Sequence, residues 1–206
     1  MRNFFNNFDD IKNGLSLKIK DNKLLIIIFS IIFIAGLFLG IFIEKSSAVK
    51  IYYIEYTENY YYSVFSQSES AFSILFIRIG NNILFFSITI LLSLSIYLVP
   101  LHFIIIFYRG FILGVVCVII FSSYSINGIF LTVLVVIPQN IISTFFLILA
   151  IISSMENSQI FKRQRCYFGF KSFLLNILLL YAFSLLGAVL ELIIISCVLR
   201  PLNFLF

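Results

Sequence analysis

The sequence predicts an all-α, polytopic integral membrane protein. It should have five transmembrane helices, the amino terminus inside, the carboxyl terminus outside, and one helix kinked by an internal proline. Three observations predict this. The chain of 206 residues is 62% apolar and only 11% charged, with a mean hydropathy of +1.12. A soluble domain is usually about 45–50% apolar and about a quarter charged, and a globule of this size cannot hide so much apolar surface. The same composition excludes a disordered chain. Second, the apolar residues gather into five runs close to the 20 or so that a hydrocarbon core about 30 Å thick requires. Third, Lys and Arg crowd into alternate connections, as they do on the cytoplasmic side of a membrane.

The first run, residues 24–43, is diluted only by Ser30 and three small residues. It is too long for the apolar region of a signal peptide, although Ser46-Ser47-Ala48 would pass as a cleavage site, so it reads as a retained span. The stretch from Ala71 to Leu98 breaks at Arg78–Asn82, which places the second crossing at 83–99, ended by Pro100. The third, 101–121, is interrupted by Tyr108-Arg109-Gly110. The fourth, 128–152, contains Pro138-Gln139-Asn140, and the fifth, 173–199, contains Glu191. No room remains for a folded soluble domain.

Orientation follows from the basic residues. The amino-terminal segment 1–23 holds Arg2, Lys12, Lys18, Lys20 and Lys23, and the loop 153–172 holds Lys162, Arg163, Arg165 and Lys171. Only Lys45, Lys50, Arg78 and Arg200 fall on the other side. Nine against four favours amino terminus in, carboxyl terminus out. The count also bears on the fourth run, whose halves are each too short to span. A re-entrant hairpin there would put the four basic residues of 153–172 outside, so a single kinked crossing is the better reading.

In the amino-terminal segment, Phe4, Phe8, Ile11 and Leu15 share one helical face. This suits a short helix on the inner leaflet as well as it suits a frayed polar lead-in. The outer segment 44–82 carries Glu44, Glu55, Glu58 and Glu69 and six tyrosines. Tyr52 and Tyr53 read best as part of an interfacial aromatic belt. Tyr56 and Tyr60, Tyr61 and Tyr62 are assigned to a partner-facing loop, since tyrosine joins an apolar body to a polar tip.

Polar groups in hydrocarbon are costly and mark function by default. Arg109 comes eight residues after Leu101, about 12 Å from the inner boundary. Asn140 comes twelve residues after Gly128 on a helix entering from outside, which brings it to about the same depth. Arg109, Pro138, Gln139 and Asn140 are therefore expected to form an intramembrane polar cluster. The Gln139 and Asn140 carbonyls would accept from the guanidinium, and Pro138 would free the carbonyl of Leu134. The alternative for Arg109 is snorkelling to the inner headgroups. Glu191 joins the cluster higher in the membrane. A direct Arg109–Glu191 ion pair would need tilt or a register shift, so a hydrogen bond across helices is expected instead. Gly36 and Gly40, and Gly110 and Gly114, form two G-x-x-x-G motifs, which allow helices to approach closely within the subunit or in a homo-oligomer.

Catalytic, cofactor-binding and metal residues are not indicated. The three aspartates, Asp9, Asp10 and Asp21, all precede the first span, so an intramembrane aspartate dyad is excluded. His102 is the only histidine, and no G-x-S motif lies in a span. Cys117, Cys166 and Cys197 fit no zinc or redox spacing. Neither an enzyme nor a nucleic-acid partner is expected; membrane lipid is. Two ionisable groups at depth are few for a pump, and weigh less strongly against a permease subunit.

Several tracts together resemble the stage II sporulation protein M family. They are Asn82-Ile83-Leu84, Pro100-Leu101, Arg109-Gly110-Phe111-Ile112-Leu113-Gly114 and Val135-Val136-Ile137-Pro138-Gln139-Asn140. The length, five spans, long first outer loop and acidic residue in the last span fit as well. The resemblance implies a cell-membrane protein of the mother cell, needed for forespore engulfment. It would act as a scaffold that localises and activates septal peptidoglycan hydrolases, with no chemistry of its own. Wider relatives resembling permease subunits keep a transport role open as the alternative.

Overall fold

The computed structural model describes residues 17–43, 71–164 and 170–194. Among them the fold is all-helical, with no strand. Five long helices follow a single helical turn at residues 17–21: α1 (Lys23–Ile43), α2 (Ala71–Leu92), α3 (Leu101–Leu131), α4 (Ile137–Gln164) and α5 (Phe170–Ile194). A 3-10 turn, Ile96–Leu98, links α2 to α3, and a π-helical turn, Thr132–Val136, leads into α4. Four stretches are long and apolar enough to cross a membrane: Lys23–Phe42, Ile96–Ser122, Thr132–Gln159 and Lys171–Ile194. The apolar part of α2, Ile79–Leu92, is shorter.

The helices run in alternating directions, as shown by which residues meet. Phe29 stacks on Phe103, with ring centroids 5.0 Å apart, and Gly40 lies against Gly114 one end further on, so α1 and α3 are parallel. Arg109 bonds Asn82, while Ser154 joins His102 to Thr89; α2 therefore runs antiparallel to α3. Arg109 also meets Ser143, and His102 meets Ser154, which makes α4 antiparallel to α3. On the far side Phe146 stacks on Phe183 and Gly187 abuts Ile142, so α5 is antiparallel to α4.

Helical turns continue through 101–131, yet the chain doubles back between Ile120 and Gly128. A Cβ on Gly128 would lie 2.5 Å from the Ile120 carbonyl oxygen. In a straight helix residues eight apart are separated by about 12 Å along the axis. Only glycine allows so close an approach.

α4 is the central element. Every residue from Leu147 to Ser154 is buried, whichever face it occupies, and a helix apolar all round belongs inside. The other helices surround it and leave Leu24, Ile27, Ile31, Ile34 and Phe38 of α1 and Leu175, Leu178 and Leu186 of α5 exposed. An exposed apolar surface of this extent is a lipid-facing one.

α2 differs from the expectation at both ends. It begins at Ala71 and continues helically through Arg78–Asn82, where a break was expected, and it ends at Leu92 instead of running to residue 99. Asn82 does not break the helix because its side chain turns inward to Arg109. The end at Leu92 is closed by Ser93, whose hydroxyl donates to the Ile90 carbonyl at 2.7 Å and satisfies one of the orphan acceptors of a helix terminus. α4 continues beyond residue 152 to Gln164, so 153–164 is helix and not loop. It passes without reversal through Pro138-Gln139-Asn140, which excludes the re-entrant hairpin. The π-helical turn immediately before Pro138 is the local adjustment that a proline inside a helix calls for.

The Tyr56, Tyr60, Tyr61 and Tyr62 loop, the amino-terminal face from Phe4 to Leu15, and residues beyond Ile194 lie outside the described residues.

Candidate functional site

Arg109 is only 7% exposed, which excludes snorkelling to the headgroups. α3 delivers it to the junction of α2 and α4. One terminal nitrogen, Nη2, donates both to Asn82 Oδ1 of α2 at 2.9 Å and to Ser143 Oγ of α4. The guanidinium also stands over the Phe85 ring, 5.0 Å from its centroid, a cation–π distance. A single cation thus ties three helices together through charge-assisted hydrogen bonds, which are the strong ones.

Gln139 and Asn140 are beside Arg109 but take different parts from those expected. Asn140 Nδ2 donates back to the Val136 carbonyl at 2.8 Å, bracing the π-helical turn one turn earlier. Gln139 is 4% exposed, and its Oε1 accepts no hydrogen bond. Asn82, 3% exposed, uses its carbonyl oxygen on Arg109 and leaves its Nδ2 without an acceptor. These groups line one cavity of about 480 Å³ between α2 and α3, floored by Val136, Gln139 and Asn140. Its rim is apolar and open, with Leu84 61%, Ile104 60% and Tyr108 49% exposed.

The acceptors that sequence reasoning missed are Asn82 and Ser143. Asn82 was read as part of a break. Ser143 follows Gln139 by four residues and so shares its helical face, a signal available in the sequence.

Glu191 is buried, at 1% exposed. Gly187, one turn before it, abuts Gln139 and Ile142. The antiparallel register therefore brings Glu191 level with Pro138, about 8 Å along the axis from Ser143.

The two glycine pairs meet each other. A Cβ on Gly36 or Gly40 would collide with the backbone carbonyl of Phe107 or Phe111 respectively. One on Gly110 or Gly114 would collide with that of Phe33 or Leu37. The contact is within the chain and joins α1 to α3.

A second polar junction was not foreseen. His102 and Ser154 are both fully buried, with Nε2 3.0 Å from the Ser154 hydroxyl and Nδ1 3.0 Å from the Val99 carbonyl. The Nδ1–H tautomer can donate to that carbonyl, and Nε2 and the Thr89 carbonyl then share the single Ser154 hydroxyl proton. The Ser154 oxygen also lies 3.0 Å from the Thr89 carbonyl. The junction therefore joins the end of α2, the start of α3 and the middle of α4. At the end of α4, Lys18 pairs with Glu156 at 3.1 Å and bonds Ser153 at 2.5 Å. Among the described residues, no group of three or more His, Cys, Asp or Glu side chains could hold a metal ion.

Comparison with curated proteins and with solved structures yields no match. Residues 28–197 match the family described as stage II sporulation protein M, a stretch that runs from within α1 beyond α5 and includes both polar junctions and both glycine pairs. This chain therefore belongs to the stage II sporulation protein M family.

Proposed function

We propose that this protein is a five-span scaffold of the mother-cell membrane, amino terminus in and carboxyl terminus out. It localises and activates septal peptidoglycan hydrolases during forespore engulfment and performs no chemistry itself. The family match over residues 28–197 is the observation that carries this reading.

The helix directions support five crossings. Because α1 and α3 are parallel and in contact, the chain between them must return across the same depth. α2, with 22 residues and a length of about 33 Å, runs antiparallel to α3, which supports reading it as the returning crossing. The absence of chemistry is supported by the polar groups at depth. Arg109 and His102 hold helices together, and the His102–Ser154 pair is buried away from any substrate. The hydrolases would be met outside, through residues 44–70.

The test is recovery of septal hydrolases from sporulating cells by the tagged full chain and by a form lacking residues 44–70. The scaffold reading expects recovery with the full chain and loss without the loop. No recovery with the full chain, together with a null strain that thins its septal wall normally, overturns it.

A further inference from the structure

The outward face of α2 differs from those of α1 and α5. The exposed residues of α1 and α5 named above are apolar and ask for nothing but lipid. α2 turns a carboxamide outward. Asn81 is exposed, and among the described residues its side chain makes no hydrogen bond. It lies at the midpoint of α2, about 15 Å from either end, beside the Asn82 that bonds Arg109. On the crossing proposed for α2 this is mid-membrane, where hydrocarbon offers a carboxamide neither donor nor acceptor. Polar side chains at such depth join helices to one another.

The residues around Asn81 form a seam. Asn81, Leu84, Ile88 and Leu91 follow at spacings of three, four and three, the a and d positions of a heptad. All four are exposed, Leu84 at 61% and Leu91 at 62%, while the opposite side of α2, with Asn82, Phe86 and Thr89, is buried in the bundle. The subunit therefore leaves this seam unused. Isoleucine at a with leucine at d favours a pair of parallel helices, and a single asparagine at a fixes their register. Here Ile88 and Asn81 are at a, and Leu84 and Leu91 are at d.

Two copies inserted in the same sense bring their α2 helices together in parallel. Their two-fold axis then lies along the membrane normal, and each Asn81 meets its counterpart at equal depth. A carboxamide both donates and accepts, so such a pair is self-complementary. A helix of another protein would match it only with a polar residue at the same level. Asn81, Leu84 and Ile88 also line the cavity between α2 and α3, with Ile104 and Tyr108 across it. A second α2 on the seam would cover that rim.

We propose that α2 is a homodimer interface, in which two copies pack their Asn81, Leu84, Ile88 and Leu91 seams in parallel and exchange hydrogen bonds between their Asn81 amides. The proposal rests on α2 crossing the membrane and is independent of the hydrolases. Labelling from either side of the membrane reads that crossing separately from dimer formation.

The test places single cysteines in the full chain, with Cys117, Cys166 and Cys197 replaced, and oxidises membranes of the expressing cells with copper phenanthroline. Leu84→Cys and Leu91→Cys should each give a disulfide-linked product of twice the chain mass. Ile83→Cys, exposed on the same helix but off the seam, should not. In dodecyl maltoside micelles, sedimentation equilibrium of the native chain should show a dimer. Asn81→Leu should raise its dissociation constant about tenfold, as expected for two interhelical hydrogen bonds in a membrane, with an unchanged circular dichroism spectrum. No linkage at Leu84→Cys and Leu91→Cys, equal linkage at Ile83→Cys, a linked product of any other mass, or a dissociation constant that Asn81→Leu does not change would each overturn the proposal.

Discussion

Gly114 of α3 lies so close to Gly40 of α1 that a Cβ added to Gly114 would sit 3.1 Å from the Gly40 Cα. The two helices touch backbone to backbone over both G-x-x-x-G motifs. In lipid, where apolar burial does not drive helices together, such close contact is what holds them.

Gly40→Ala and Gly114→Ala are therefore expected to destabilise the protein by about 1–3 kcal/mol each, the usual cost of overpacking. Each added methyl meets a carbonyl oxygen rather than a side chain that could move. Thermal unfolding in a constant micelle, read by tryptic resistance, measures the loss.

Gly80 supplies the opposite case. A Cβ there meets nothing within 4 Å, and the residue lies inside α2. Gly80→Ala should stabilise by about 0.5–1 kcal/mol, since glycine in a helix interior is destabilising by that amount relative to alanine. A lowered melting temperature would contradict the open surroundings described for this position.

Arg109→Met should release α2 from α3 and α4 at once, because Asn82 Oδ1 and Ser143 Oγ lose the same donor. A cost of about 2–4 kcal/mol is expected from two charge-assisted bonds and the buried acceptors they leave. Arg109→Lys keeps the charge but not the planar fork and should recover only part of it. The comparison of the two melting curves separates charge from geometry.

The His102–Ser154 pair distinguishes a helix tie from a catalytic pair. A double-mutant cycle with His102→Ala and Ser154→Ala should give a coupling of about 1 kcal/mol in stability. Sporulation should follow stability alone: Ser154→Ala that accumulates normally should sporulate normally. Loss of sporulation at full accumulation would mean that the hydroxyl does chemistry.

Amino terminus in and carboxyl terminus out can be read by labelling single cysteines in a chain with Cys117, Cys166 and Cys197 replaced. A cysteine at Ser66 should react with an impermeant reagent from outside, and one at Lys162 only after the membrane is opened. The reverse pattern would invert the orientation.

α1 shows what was legible. Its span, expected at 24–43, runs from Lys23 to Ile43, because an unbroken apolar run satisfies its own backbone bonds and needs no partner to define it. α2 shows the limit. Arg78 to Asn82 read as an interruption, but Asn82 is compensated by Arg109, a residue 27 positions away. The polar cluster was legible as a set of residues and not as a set of bonds: Gln139 was expected to accept from Arg109, and Asn82 and Ser143 do so instead. Depth along a helix is fixed by counting residues. The direction a side chain faces depends on rotation about the axis, which packing sets.

The sequence by itself determined the solvent, the helical class, four of the membrane-length runs and the residues that would be costly inside them. It did so because hydrophobicity, helix length and charge bias are local or additive properties of the chain. Tertiary structure alone decided that the two glycine pairs meet each other, that Arg109 ties α2 and α4, that His102 finds Ser154, and that a cavity forms between α2 and α3. Each of these depends on bringing together residues far apart in the chain, and the relative rotation and register of packed helices are set by the whole bundle at once.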